Sequence, residues 1–82
     1  MAAVRYYFDH RDWDGLFVDE EGIELRSIEA VQKEATESMT VAMREVLRWP
    51  LRAGGISIEV RDDKGRIMCI RFSVEIEIGR KN

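Results

Sequence analysis

A lone cysteine, a lone histidine and a lone proline set the first limits on this chain of 82 residues. Cys69 has no second cysteine for an intrachain disulfide and belongs to no cysteine metal cluster. His10 and Cys69 lie far apart in sequence, so nothing has metal-ligand spacing, and neither a metal nor another cofactor is expected. No apolar run approaches the ~18 residues of a membrane span. The start, "MAAVRYYFDH", lacks the apolar stretch of a secretory signal. These absences together point to a cytoplasmic protein with no membrane partner.

Positive charge is also short. Thirteen Lys and Arg stand against sixteen Asp and Glu, for a net charge of −3. Acids outnumber bases over residues 1–26, and bases outnumber acids over residues 50–82. The basic end (Arg61, Lys64, Arg66, Arg71, Arg80, Lys81) is interleaved with acids, so a phosphate-binding patch and direct nucleic-acid binding are not expected. "RAGGIS" leads into a strand pattern, not into a helix with a following lysine, so it is no phosphate cradle.

What the chain does have is clean periodicity. "VRYYFDH" reads as a strand with Val4, Tyr6 and Phe8 on one side and Arg5, Tyr7 and Asp9 on the other. "RDWDG" is turn chemistry, "LFVD" the return strand, and Ile23 to Leu25 a candidate short third strand after Gly22. Ser27 is a candidate helix N-cap, with Glu29 favourably placed in the first turn. The helix is expected from Ile28 to about Trp49, where Pro50 stops it. Ile28, Val31, Ala35, Met39, Ala42, Val46 and Trp49 then form one apolar stripe for the core. A second hairpin, over residues 55–78, is marked by "ISIEV", the turn "DDKG" and a long alternation through Met68, Ile70, Phe72, Val74, Ile76 and Ile78.

The expectation is therefore one domain, 1–82, of α+β class: β-β-α-β-β, an antiparallel sheet of about four strands with one long helix packed on one face. A domain this small buries only ~60–65% of its unfolded surface, which leaves little room for an internal active site. The last strand outruns its hairpin mate. An unpaired apolar edge is an aggregation hazard, so it is expected to bend back, to pair elsewhere in its own sheet, or to pair with a second chain.

The candidate site lies in "YYFDHRDWDG", residues 6–15. With His10 in first place, Asp12, Asp14, Gly15 and Glu21 take the third, fifth, sixth and twelfth places of a calcium loop. The match breaks on His10 itself, because imidazole is a poor ligand for a hard cation, and on a strand where a calcium loop needs an incoming helix. As a catalytic base His10 has aspartates nearby but no serine in a nucleophile-elbow pattern, and Cys69 has no basic helix end to lower its pKa. No catalytic residue is expected. Trp13, at the hairpin tip, either folds back over its own hairpin or offers an indole to a partner. Tyr7, Asp9, His10 and Trp13 are the expected partner-binding residues.

The stretch "RYYFDHRDWDGLFVDEEGIELRSIEAVQKEA" resembles a family of short proteins, without assigned activity, common in rhizobia and other alphaproteobacteria. The residues that carry the likeness are Arg5 to Phe8, Asp14-Gly15, the D-x-x-G-x-E-L run at Asp19, Gly22 and Glu24-Leu25, then Glu29-Ala30 and Glu34-Ala35. "ISIEVRDDKGRIMCIRF" is similar to the family's second hairpin, which ends near a pair like Phe72-Ser73, so the likeness covers about residues 4–73. It implies the fold and a bacterial origin and brings no catalytic residues. A more distant likeness, in the strand, acidic Gly turn and return strand before a helix, is to HicB-type antitoxins; it implies a sheet facing a small RNase.

The expected function is a non-enzymatic protein–protein interaction or regulatory module acting as a homodimer. The alternatives are a HicB-like regulator of a small RNase, and a small hydrolase or metal-dependent enzyme using His10 and nearby aspartates.

Overall fold

The computed structural model describes residues 2–80. Its elements run β1 (Val4–Asp12), β2 (Gly15–Phe17), β3 (Ile23–Leu25), α1 (Ile28–Val46), β4 (Gly54–Asp62) and β5 (Gly65–Val74). All strand pairs are antiparallel: β1 takes β4 on one edge and both β2 and β3 on the other, and β5 closes the sheet outside β4. The short third strand is formed, so the α+β sheet has five strands. The single helix lies across one face.

Both hairpins turn on the same four-residue device. In Asp12-Trp13-Asp14-Gly15 and in Asp62-Asp63-Lys64-Gly65 the aspartate pairs across the turn with the glycine. In each, its carboxylate accepts from the backbone N–H two residues on, at 2.8 Å. Gly15 and Gly65 take φ of 125° and 127°, a region closed to most side chains. After the second turn the register slips between Val60 and Arg61, which leaves Ile67 as a bulge. The slip puts Arg66 on the open face with Glu59 while Met68 faces the helix.

The core is one cluster: Phe8 from β1, Val31, Ala35, Met39 and Val46 from α1, and Ile56, Ile58 and Val60 from β4. Helical spacing of three and four and strand spacing of two bring these apolar rows together. Ser27 caps the helix as expected, its hydroxyl accepting from the Ala30 N–H at 3.1 Å. The far end differs from the sequence reading. The helix stops at Val46, with the Leu47 N–H closing on the Met43 carbonyl. Pro50 has no N–H to offer the Val46 carbonyl, so the last turn cannot form. Trp49 consequently leaves the apolar stripe and is 91% exposed, and Ile28, at the other end, is half-exposed.

The second hairpin is also shorter than its sequence pattern. Val74 pairs with Gly54, the first residue of β4, and beyond it β5 has no mate. Residues 75–80 run on outside any strand. Ile76 is 42% and Ile78 79% exposed. No helix among the described residues is long and apolar enough to cross a membrane.

Candidate functional site

The four residues singled out in the first hairpin divide between the two faces of the sheet, because successive strand residues point to opposite sides. Tyr7 and Asp9 lie on the face without a helix. His10 follows Phe8 to the helix side, and Trp13 joins it from the turn.

On the open face a polar cluster is built from three segments. Asp9 is a buried acid, 7% exposed, paired with Arg61 from β4. The Arg61 Nε donates to Asp9 Oδ2 at 2.8 Å, and its Nη2 donates to the Asp19 carbonyl at 2.9 Å. The guanidinium also stacks on Tyr7, 4.4 Å from the ring centroid. The hydrogen bond to Asp9 raises the Arg61 pKa further.

Asp19 completes the cluster from the loop between β2 and β3. Its carboxylate accepts from the backbone N–H groups of Phe8, Glu21 and Gly22, each at 3.1 Å, and its own N–H donates to Asp9 at 2.9 Å. The carboxylate therefore stands where a strand backbone would, filling the gap on β1 between the stretches paired with β2 and β3. Burial alone would raise its pKa. The N–H donors of Gly22, Phe8 and Glu21 and the charge of Arg61 outweigh that and hold it low.

A second ionic group lies beside it. Glu59 bridges Arg11 at 2.8 Å and Arg66 at 3.4 Å, with Ser57 donating to it at 3.4 Å. The Arg11 hydrogen bond, against burial and with the charges of Arg11 and Arg66, holds the Glu59 carboxyl low.

These two shifts fix the sign of an acid response. A carboxylate whose folded-state pKa lies below its unfolded value of ~4 contributes stability that is complete above ~pH 5 and is lost as pH falls through the folded value. The urea midpoint is therefore expected to be flat between about pH 7 and 5 and to fall below it. Asp19→Asn and Glu59→Gln should each flatten that fall; an unchanged slope in both variants would contradict the assignment.

On the helix side, Trp13 does not project from its hairpin. The indole Nε1–H donates to the Ala53 carbonyl at 3.0 Å, Arg52 stacks over the ring at 4.3 Å, and the ring packs against the core. It closes one end of an open-sided cleft of about 390 Å³, which His10, Asp12, Ser38, Glu45 and Arg52 also line. His10, Asp12 and Ser38 thus share a cleft, but no hydrogen bond among the described residues joins them. Nor does any group of three His, Cys, Asp or Glu among those residues stand where it could hold a metal.

Sequence reasoning missed Asp19, Arg61, Glu59 and Arg52. The available signal for Asp19 was its place in D-x-x-G, an acid three residues ahead of a glycine.

A helix on one face of a five-stranded antiparallel sheet, stapled at one edge by a loop carboxylate, defines the class. The chain belongs to the family described as a domain of unknown function, DUF6894, whose model matches residues 5–75. No curated protein matches the chain, and no solved structure matches it.

The geometry accounts for the residues of the D-x-x-G-x-E-L run. Asp19 is the staple. Gly22 has φ of 70°, and a Cβ there would come within 2.8 Å of the Tyr6 carbonyl. Glu24 pairs with Arg5 at 3.5 Å, and the same arginine donates to the Glu21 carbonyl at 2.8 Å. Leu25 packs on the core.

Proposed function

We propose that the chain is a non-enzymatic interaction module that acts as a homodimer through its β5 edge. The observation that carries this reading is the contrast between the two edges of the sheet. On one side β2 and β3 are three residues each and are separated by the Asp19 staple. Such a short, interrupted edge offers no template for another strand. On the other side β5 presents ten residues with one neighbour only. It carries no proline, its one bulge lies near its start, and the residues after it carry the apolar alternation on through Ile76 and Ile78. Its helix-side row of Met68, Ile70, Phe72 and Val74 is only partly buried.

A further protein partner would meet the open face at Tyr7, whose ring Arg61 holds in place. Asp9 would act there by fixing Arg61, since it is too buried to touch a partner itself. Light scattering on the full chain at micromolar concentration is expected to give twice the mass of the 9.6 kDa protomer. A monomer that persists when the concentration is raised about tenfold to a hundredfold would remove the reading, since a stable edge pairing should by then be populated.

A further inference from the structure

Resting on that dimer reading, we infer that two copies join β5 to β5 in one register, with Ser73 on the two-fold axis and Arg71 of each copy opposite Glu75 of the other. Two identical strands related by a two-fold axis within one sheet run antiparallel, and each residue meets its mirror position across the axis. Only the choice of axis residue is then open.

The charges narrow it to Ser73 or Val74. Arg71, Glu75 and Glu77 make no ion pair among the described residues. They lie on one row of the strand and its tail, with Cys69 and Ser73 between and beside them. With the axis at Ser73, both Arg71–Glu75 pairs form directly across the junction, where opposite charges are neighbours. With the axis at Val74, two Arg71–Glu77 pairs form instead, Glu75 faces Ser73, and Met68 falls against Arg80. With the axis at Phe72, Arg71 meets Ser73 and Glu75 meets Cys69. Placing it at Glu75 sets two like charges face to face.

The apolar row decides between the two. An axis at Ser73 sets Phe72 against Val74, Ile70 against Ile76 and Met68 against Ile78 of the other copy. Ile76 and Ile78, exposed in the protomer, gain the partly buried half of β5 as their cover. Residues 75–78, which have no strand partner in their own chain, become strand in the dimer. The two sheets merge into one of ten strands, and both helices lie on the same side of it.

The test uses three full-length chains, the wild type, Arg71→Glu and Glu75→Arg, followed by sedimentation equilibrium, with far-UV circular dichroism as the folding control. Each single variant sets like charges opposite one another at two symmetric places, and dimer dissociation constants about tenfold higher are expected from cross-strand charge pairing. Mixing the two variants restores opposite charges at both places. At one, the new carboxylate of Arg71→Glu faces the new guanidinium of Glu75→Arg; at the other, the native Arg71 and Glu75 face each other. The mixture should therefore regain wild-type affinity as a heterodimer. If the wild type dimerises while Glu75→Arg has no effect, or the mixture does not recover, the register is overturned and the dimer stands. A monomeric wild type overturns both.

Discussion

Replacing Asp19 by alanine is expected to lower stability by about 3 kcal/mol, a large effect for a residue outside the apolar core. The carboxylate satisfies three backbone N–H groups at once, and those of Phe8 and Gly22 are partly buried. Each buried donor left without an acceptor costs about 1–3 kcal/mol, while the exposed Glu21 N–H can turn to water. The loss also unseats the loop whose backbone holds Arg61, so the Asp9 pair loses a neighbour. For a domain of this size the melting temperature should fall by roughly 15 °C. Asn in the same place keeps one accepting oxygen but turns an amide N–H₂ toward a second donor, so about 2 kcal/mol is expected. Urea unfolding with an unchanged slope would measure both. A loss below about 0.5 kcal/mol for Asp19→Ala, the range of an ordinary surface change, would mean that water replaces the carboxylate and that the staple holds nothing.

The strands, their alternation and both Asp-x-x-Gly turns were legible because each is set by residues within a few positions of one another. The same is true of Ser27, whose hydroxyl serves an N–H three residues on. Asp19 was not legible in this way. In "FVDEEG" it looks like one of three solvated acids, and only the chain pairing of β1 with β4 brings Arg61, 42 residues on, to its carbonyl. The helix end failed for a related reason. The apolar spacing runs through Trp49, but the missing N–H of Pro50 acts one turn earlier, at Val46. Strand parity separated the candidate site: Tyr7 and Asp9 sit within a few positions of His10, yet the sheet lies between them.

Trp13 shows where a local reading leaves two answers and a distant residue decides. At the tip of a hairpin, an indole has no obvious cover in its own neighbourhood. The cover comes from the connector that leads from α1 into β4, Arg52 to Gly54. Gly54 has φ of 130°, and a Cβ there would collide with the Trp13 indole nitrogen. The connector is therefore shaped to the ring: Arg52 stacks on it, Ala53 accepts its N–H, and Gly54 makes room for it.

Gly54→Ala is accordingly expected to lower stability by about 2–3 kcal/mol and to expel the indole from its seat. One part of that loss is backbone strain at a positive φ, of order 1–2 kcal/mol for a residue with a Cβ. The rest is the packing and the hydrogen bond of a half-buried tryptophan. The chain has two tryptophans, and the other, Trp49, is 91% exposed, so a Trp49→Phe background isolates Trp13 fluorescence. In that background the wild-type connector should shield the ring from acrylamide, and Gly54→Ala should raise the quenching constant severalfold with a red-shifted emission. Trp13→Phe serves as the companion variant: it loses the bond to Ala53 but needs no new space, and about 1 kcal/mol is expected. If Gly54→Ala left both the quenching and the stability unchanged, the ring would not rest on this connector. The cleft beside His10 would then lack the wall that gives it its shape.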